Sequence, residues 1–333
     1  HKRKPDLPGT ELKKMKNLRD ILYKTALLEV AGNTDISISS VTADSRQVRP
    51  GCLFVAIRGI TTDGPAYIEQ AIADGATAII CEHMPQALQT GITYLRVKSS
   101  PTALGMVAAN SFGNPSEKIK LIGITGTNGK TTVASLLHTL FQEEGFVCGL
   151  ISTIHNKIGR EVRTTTFTTP DPIHLNSLLH EMVQAGCTHA FMEVSSHAMV
   201  QQRVEGIEFS GGVFTNLTHD HLDYHGDFKS YLQAKQAFFD MLGKKAFALT
   251  NIDDKNGWVM LQNTKATKQS YSLRSMANFR ASVIENILNG MQLHIDNTEV
   301  WCKLTGTFNA YSLLAAYGTA RLLGLEKERI LTA

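Results

Sequence analysis

The sequence has few cysteines, and their arrangement argues against a disulfide framework or a cysteine-based metal site. Five cysteines are spread over 333 residues, and no Cys-x-x-Cys pair occurs among them. Disulfide-dependent domains are rich in closely spaced cysteines, and structural zinc sites need paired ligands. The pattern therefore predicts a protein of a reducing compartment, and we expect a cytoplasmic location.

The sequence also lacks long apolar runs and an excess of charge of either sign. No apolar segment approaches the length that spans a membrane, and no signal-peptide core follows the basic N-terminus. The 33 basic and 30 acidic residues leave a net charge of +3. We therefore expect neither stable membrane insertion nor nucleic-acid binding.

The length and the alternation of apolar segments predict two α/β domains. Residues 1–14 are polar and basic, and we interpret them as an addition to a natural chain that starts at Met15, or as a natural disordered extension. Residues 15–112 predict a small α/β domain. Residues 113–326 alternate strand and helix, which is typical of a mostly parallel sheet covered on both faces. Residues 327–333 are expected to begin a linker to a further domain.

A glycine-rich turn between a predicted strand and a predicted helix carries the clearest chemical signal. Residues 123–132 read GITGTNGKTT. Glycines at such a junction let backbone amides surround an anion, and the helix N-terminus favours negative charge. Lys130 adds a positive charge, and the Thr131 hydroxyl can hold a magnesium ion. Ile124 stands where the general P-loop pattern has glycine, so this is a variant loop. The residues predicted to bind a nucleotide are Gly126, Thr127, Asn128, Gly129, Lys130, Thr131 and Thr132.

Two further polar groups follow predicted strands. Glu193 lies at the end of the strand predicted over 189–194, and ligands of doubly wound sheets bind beyond the carboxyl ends of strands. A surface carboxylate is the alternative. Residues 216–226 place three histidines and two aspartates in a short loop, which predicts metal or phosphate chemistry, unless the loop is merely solvated. The spacing fits no zinc pattern, and oxygen-rich surroundings favour magnesium.

Lys235 and a run of hydroxyls allow more than one interpretation. Lys235 lies in an apolar helix predicted over 231–241, and from the sequence alone a surface lysine with a partly covered stem is favoured. Residues 164–169 read TTTFTT and precede a predicted helix start. These hydroxyls could donate hydrogen bonds to a polar ligand, or they could form an edge strand and a helix cap.

Taken together, these motifs resemble the Mur ligase family. The resemblance covers about residues 15–333 and is closest to the branch that adds the third amino acid of the peptidoglycan stem peptide. The matching segments are Asp44-Ser45-Arg46, the loop 126–131, and residues 168–170, 193–197, 201–204, 216–226 and 306–310.

The resemblance implies an ATP-dependent peptide ligase of peptidoglycan precursor synthesis. Its substrates would be UDP-N-acetylmuramoyl-L-alanyl-D-glutamate and either meso-diaminopimelate or L-lysine. The substrate carboxylate would attack the γ-phosphate of ATP, and the amine would then attack the acyl phosphate. Because an anionic nucleophile meets an anionic nucleotide, cations are needed, and ATP and Mg²⁺ are the implied cofactors. We expect a monomer.

The resemblance also implies a role for each matching residue. Lys235 would carry a carbamate, which reverses its interpretation as a surface lysine. The implied catalytic residues are Lys130, Glu193, His221 and Lys235, and the implied magnesium ligands are Thr131, Glu193, His221 and Lys235. Asn309 would lie near the adenine. Ser45, Thr61 and Thr62 would line a uridine pocket, and the muramoyl-dipeptide part would contact Thr168, Thr169, Ser195, Gln201 and Arg203.

Family enzymes have a third domain with an Asp-Asn-Pro-Arg-type motif that selects the amino acid, and no such motif occurs in this sequence. We therefore expect these residues to bind the UDP-sugar peptide, and weakly ATP, without completing ligation. One alternative is a sibling ligase, either the D-alanyl-D-alanine-adding enzyme or a folylpolyglutamate synthase, although residues 41–64 count against the synthase. The other alternative is a nucleotide-dependent switch or a non-catalytic UDP-sugar-binding module.

Overall fold

Two β-sheets, one in each of two units, organise the chain in this computed structural model. The structure describes residues 11–58, 64–165, 167–218 and 227–333. The first unit extends to Glu117 and also includes Pro170–Glu181 and Gln201–Ile207, whereas the second contains Lys118–Thr169, Met182–Val200 and Glu208–Ala333. The first unit therefore includes two segments that lie after the domain boundary predicted near residue 113.

Up to residue 117, the described part of the first unit contains six strands and three α-helices. The strands are β1 (Glu11–Asn17), β2 (Leu27–Ala31), β3 (Ser37–Thr42), β4 (Cys52–Val55), β5 (Ala76–Cys81) and β6 (Thr93–Val97). The helices are α1 (Leu18–Ile21), α2 (Ile68–Ala73) and α3 (Ser100–Ser111). The strand order is β1-β3-β4-β5-β6-β2, with β3 to β6 parallel and β1 and β2 antiparallel at the edges. Strand β1 begins at Glu11, ahead of Met15.

Burial on both faces explains the continuous apolar run in β4. Successive side chains of a strand point to opposite faces. Leu53 and Val55 accordingly belong to one buried apolar cluster, whereas Cys52, Phe54 and Ala56 belong to another. A parallel sheet that is covered on both faces has apolar residues at every position instead of at alternate ones.

Eleven strands are found among the described residues of the second unit. They are β7 (Lys120–Thr125), β8 (Cys148–Ile151), β9 (Asn156–Ile158), β10 (Glu161–Arg163), β11 (His189–Glu193), β12 (Gly211–Phe214), β13 (Phe247–Asn251), β14 (Thr267–Ser272), β15 (Phe279–Ile287), β16 (Gly290–Ile295) and β17 (Thr298–Cys302). Their order is β10-β9-β8-β11-β7-β12-β13-β14-β15-β16-β17. Strands β8 to β15 along this order are parallel, and the two ends are antiparallel. The predicted α/β class with a mostly parallel central sheet is confirmed.

Seven described α-helices accompany the second sheet or connect its strands. They are α4 (Lys130–Glu143), α5 (Pro172–Gln184), α6 (Ser196–Val200), α7 (Phe228–Asp240), α8 (Gly257–Met260), α9 (Thr307–Leu322) and α10 (Lys327–Thr332). Helix α5 begins in a segment of the first unit. Helices α4 and α9 pack on one face of the sheet, where Val133, Leu137 and Leu314 share a buried cluster with Ile122 and Ile124 of β7.

The order of the central strands defines where a ligand site can form. Strand β7 lies between β11 and β12, with Glu193 level with Ile124 and Phe214 level with Thr125. From β7 the chain goes first to β8 and β11 on one side and later to β12 and β13 on the other. Such a switch point opens a crevice beyond the carboxyl ends of the strands.

In the ranges that the structure describes, no helix combines the length and the apolar character that crossing a bilayer requires.

A methyl group at Gly123 of β7 should destabilise the second unit. An added Cβ would stand 2.4 Å from the Phe238 ring and 3.0 Å from the Phe209 ring. Overpacking of a core typically costs about 1–3 kcal/mol of unfolding free energy, so Gly123→Ala should lower the midpoint of urea unfolding. The control is Gly243→Ala, where an added Cβ would meet nothing within 4 Å. Equal midpoints for both variants would show that Phe238 moves aside at no cost.

Candidate functional site

The glycine-rich loop connects β7 to α4, and its backbone tolerates only glycine at two positions. Gly126 and Gly129 have φ angles of +150° and +86°. A Cβ at Gly126 would stand 1.9 Å from the Thr215 hydroxyl. Ile124, which departs from the general pattern, is fully buried within β7. The loop of this variant therefore starts after the strand, and Lys130 opens the first turn of α4.

The segment that follows β12 holds the loop in shape. The Asn216 side chain accepts a hydrogen bond from the Asn128 amide (3.0 Å) and donates one to the Asn128 carbonyl (3.1 Å). The Thr215 hydroxyl donates to the same carbonyl at 2.6 Å, and the Thr127 amide donates to the Asn216 carbonyl at 2.8 Å. The conformation of the loop is thus set by side chains about 90 residues further along the chain.

Two lysines reach the same carbonyl of this loop. The Lys130 amine donates to the carbonyls of Gly126 (2.9 Å) and Thr127 (2.8 Å). The Lys235 amine on α7 also donates to the Gly126 carbonyl, at 2.8 Å, and lies 4.8 Å from the centre of the Tyr231 ring. Lys235 is only 2% exposed. The interpretation of Lys235 as a surface lysine is therefore wrong.

Glu193 is buried at the end of β11 and faces the loop. Its side chain is fully inaccessible to solvent. One carboxylate oxygen accepts hydrogen bonds from the Thr131 hydroxyl (2.9 Å) and the Thr153 amide (2.8 Å). The other oxygen accepts from the Thr153 hydroxyl at 3.1 Å. The alternative of a surface carboxylate is wrong. The Thr131 hydroxyl and the Glu193 carboxylate offer oxygen ligands of the kind that Mg²⁺ prefers, so these two residues fit the predicted ion.

The predicted substrate hydroxyls Thr168, Thr169 and Ser195 lie beside Glu193. The Thr169 hydroxyl donates to the Glu193 carbonyl (2.9 Å) and accepts from the Ser195 amide (3.2 Å). The Thr153 hydroxyl lies 3.1 Å from the Thr168 hydroxyl. Strand β10 ends at residue 163, and the described residues of the run 164–169 form no strand. The edge-strand alternative is therefore wrong for those residues.

The first unit contains three of the other predicted substrate residues. Ser45 begins a 3₁₀ turn that Asp44 caps through the Arg46 amide, and the Arg46 guanidinium donates to the same carboxylate at 2.7 Å. This side-chain hydrogen bond lowers the pKa of Asp44 below its usual value. Arg203 donates through two nitrogens to the Gln201 side chain, at 2.9 and 2.6 Å. Ser45, Gln201 and Arg203 thus belong to one unit, although they lie on different sides of the predicted boundary near residue 113.

Asn309 lies at the start of α9, and this helix begins beside the glycine-rich loop. The Asn309 side chain donates to the Thr305 carbonyl at 2.8 Å. One turn later, the Ser312 hydroxyl lies 3.4 Å from the position of a Cβ built on Gly129. Helix α9 therefore forms a second wall of the crevice whose floor is the loop.

Three predicted site residues, Thr61, Thr62 and His221, lie outside the described residues. Most of the polar loop around His221 does so as well. Within the described ranges, no three His, Cys, Asp or Glu side chains are grouped so that they could share a metal ion. Among the implied magnesium ligands, Thr131 and Glu193 are in direct contact.

Thr153 is a site residue that the sequence interpretation missed. It contacts Glu193 through both its amide and its hydroxyl. The available signal was its position, because Thr153 follows the carboxyl end of β8, the strand next to β11. A hydroxyl at such a position faces the ligand crevice of a doubly wound sheet.

The sequence matches known protein families in both units. Residues 124–320 match the Mur ligase middle domain, and residues 37–112 match the Mur ligase family catalytic domain. Because the first match alone covers more than half of the 333 residues, the chain belongs to the Mur ligase family.

Particular relatives are similar over most of this chain. The UDP-N-acetylmuramoyl-L-alanyl-D-glutamate--2,6-diaminopimelate ligase of Cytophaga hutchinsonii is 50% identical over 315 residues, which are 94% of this chain and 65% of that protein. The enzyme of the same name from Caldanaerobacter subterraneus is 38% identical over 308 residues, 91% of this chain and 63% of that protein. The chain thus spans about two thirds of the length of these curated relatives.

Solved structures share the fold. A structure of UDP-N-acetylmuramoyl-L-alanyl-D-glutamate--2,6-diaminopimelate ligase superposes with a TM-score of 0.82 at 24% identity, covering 96% of this chain and 66% of that one. MurF from Acinetobacter baumannii superposes with a TM-score of 0.66 at 20% identity, covering 96% of this chain and 67% of its own.

The contact between Thr131 and Glu193 should be required for magnesium-dependent nucleotide binding. Thr131→Val keeps the size of the side chain but removes the hydroxyl. We expect its affinity for ATP in the presence of Mg²⁺, measured by isothermal titration calorimetry, to fall by about tenfold, the effect of one lost charge-assisted hydrogen bond or ligand.

Thr139→Val, at an exposed position of the same helix, is the matched control and should bind ATP normally. In EDTA the two variants should bind equally. A Thr131→Val variant with full magnesium-dependent affinity would exclude this hydroxyl from the site.

Proposed function

We propose that this chain carries the nucleotide site and the acceptor site of an ATP-dependent peptide ligase of peptidoglycan precursor synthesis. The reaction would join meso-diaminopimelate to UDP-N-acetylmuramoyl-L-alanyl-D-glutamate. The observation that carries the proposal is the contact of Thr131 with Glu193 beside a glycine-rich loop that the buried Lys235 also reaches. The names of the 50%-identical relatives support this choice of substrates.

In the first step, the D-glutamate carboxylate attacks the γ-phosphate, a phosphorus–oxygen bond forms, and ADP leaves. The loop amides and the N-terminus of α4 bind the phosphates, and Lys130 turns from the loop carbonyls towards them. Thr131 and Glu193 would hold one magnesium ion, and His221 would help to hold a second. The ions supply positive charge that the attack of one anion on another requires.

Lys235 is proposed to act as a carbamate. Its neutral amine adds to carbon dioxide with loss of a proton, so that a carbon–nitrogen bond forms and the side chain becomes an anion. The buried position next to the loop supports this role, because a carbamate there would place anionic oxygens, which magnesium prefers, beside the phosphate-binding loop. The amine of diaminopimelate then attacks the acyl phosphate, and phosphate leaves as the amide forms.

The acceptor substrate is proposed to bind the remaining predicted residues. Ser45, Thr61 and Thr62 would line the uridine pocket. Thr168, Thr169, Ser195 and Gln201 would bind the muramoyl-dipeptide, and the Arg203 guanidinium would pair with a phosphate or carboxylate. A cytoplasmic location is part of the proposal, since ATP and UDP-activated sugars are cytoplasmic substrates. The proposal also includes the expected monomer.

The proposal is tested by a ligation assay with the full-length natural protein. The protein is incubated with ATP and Mg²⁺ and with one of three substrate pairs: the UDP-dipeptide with meso-diaminopimelate, the UDP-dipeptide with L-lysine, or the UDP-tripeptide with D-alanyl-D-alanine. Products are identified by mass spectrometry. We expect tripeptide and stoichiometric phosphate with meso-diaminopimelate. Product with L-lysine instead would change the third residue. Product only from the UDP-tripeptide and D-alanyl-D-alanine would identify the sibling ligase.

The 333-residue chain is assayed in parallel. Because the matched relatives are longer by about half its own length, we expect it to bind the UDP-dipeptide without forming product. Tripeptide formation by this chain would show that the matched region suffices.

Replacing the buried lysine should abolish ligation in the full-length protein. Lys235→Ala removes the proposed magnesium ligand, and we expect the rate of phosphate release to fall by about 100-fold or more, as for loss of a group that stabilises transition-state charge. Lys229→Ala, an exposed position on the same helix, is the matched control. An unchanged rate in Lys235→Ala would exclude the carbamate.

A further inference from the structure

A polar turn after β13 braces the segment that holds the glycine-rich loop. The Asn251 side chain donates to the Thr215 carbonyl at 2.9 Å. An Asp254 carboxylate oxygen accepts from the Leu217 amide at 2.7 Å. Thr215 and Leu217 flank Asn216, whose side chain fixes the loop. The turn therefore supports the phosphate side of the crevice.

Asp253, in the same turn, contacts the other wall of the crevice. One carboxylate oxygen accepts from the Ser272 hydroxyl at 2.6 Å. The other accepts from the Leu273 amide (2.8 Å) and from the Tyr311 hydroxyl on α9 (2.9 Å). Burial is the main cause that raises the pKa of Tyr311 to about 12, and the hydrogen bond to Asp253 is the second. The hydroxyl therefore keeps its proton and acts as a donor at neutral pH.

Tyr311 lies between Asn309 and Ser312 in the first two turns of α9. Side chains two residues apart in a helix point to different sides, so the bond at Tyr311 holds this end of α9 from a side other than the one that carries Asn309. Asn309 is on this restrained turn, and Ser312 lies near Gly129 of the loop.

We propose that the hydrogen bond between Tyr311 and Asp253 is a positioning contact for nucleotide binding, which holds Asn309 at a fixed place beside the phosphate loop. This inference rests on the proposed ATP site. Tyr311 touches no part of the nucleotide in this scheme. It acts through α9, and the effect of its loss should appear at the nucleoside end of the ligand, because Asn251 and Asp254 brace the phosphate end independently.

The same helix supplies a matched control. The Tyr317 hydroxyl donates to an Asp296 carboxylate oxygen at 2.5 Å, and burial raises the pKa of Tyr317 to about 12 as well. Asp296 lies in the turn between β16 and β17, and Tyr317 is about 9 Å further along the axis of α9 than Tyr311. The two tyrosines thus share their chemistry and differ in position.

The test compares Tyr311→Phe with Tyr317→Phe in the 333-residue chain, with Mg²⁺ present. Affinities for ATP and for inorganic tripolyphosphate are measured by isothermal titration calorimetry, and thermal unfolding is recorded for both variants. We expect Tyr311→Phe to bind ATP about 5- to 10-fold more weakly, which is less than the loss of a direct hydrogen bond between a charged group and a ligand, because Tyr311 acts through α9. It should bind tripolyphosphate like the unaltered chain. Tyr317→Phe should bind both ligands normally.

Thermal unfolding separates positioning from general stability. Both variants lose one tyrosine–carboxylate bond, so both should show a lower melting temperature, and only Tyr311→Phe should show weaker ATP binding. Asp253→Asn tests the pair from its other side. It should weaken ATP binding, and adding Tyr311→Phe to it should weaken binding no further, since the two residues act as one unit.

Two results would overturn the inference: unchanged ATP affinity in Tyr311→Phe, or equal weakening of ATP and tripolyphosphate, which would place the effect on the loop instead of on α9. Failure of the unaltered chain to bind either ligand would instead overturn the proposed nucleotide site, and the positioning role with it.

Discussion

The structure of the site depends on the close contact between the glycine-rich loop and the segment after β12. Thr215 lies so near Gly126 that no side chain fits between them, and the Asn216 side chain binds both the amide and the carbonyl of Asn128. This contact exists only because β7 and β12 are neighbours in the sheet. The strand order thus determines the shape of the loop, and the loop presents its amides and the N-terminus of α4 to an anion.

Charged side chains of both signs lie around the loop. Lys130 and Lys235 share the Gly126 carbonyl. The buried Glu193 carboxylate is stabilised by three hydrogen bonds from Thr131 and Thr153. A buried carboxylate is tolerated only when its oxygens are satisfied, and these donors supply what water would otherwise supply. Carbamate formation would change the sign of the Lys235 side chain and convert one of the two cationic groups into a ligand for a cation.

The sequence predicted those elements whose signals are local. Strand β7, the glycine-rich loop and helix α4 are found in the predicted order, because the spacing of apolar residues and the placement of glycines act within about ten residues. Strands β2 and β6 have no comparable local signal. Both are short, and each carries a charged residue, Glu29 and Arg96, which pair across the strands at 2.9 Å. Such strands are stabilised by their partners in the sheet, and a single segment does not reveal a partner that lies more than 60 residues away.

Some residues of the candidate site could be predicted from the sequence and others could not, and the difference has a chemical cause. Residues that bind phosphate or metal are restricted to a few types, so the candidates Lys130, Thr131 and Glu193 could be proposed from motifs. Lys235 could not, because a lysine in an apolar helix is usually exposed, and its burial follows from contact with Gly126, which lies 109 residues earlier. Thr153, Asp253 and Tyr311 carry no motif at all. They bind backbone amides, carboxylates and one another, which many side chains can do, so their importance arises only from where the fold places them. A sequence therefore identifies the groups that meet a ligand sooner than the groups that hold them in position.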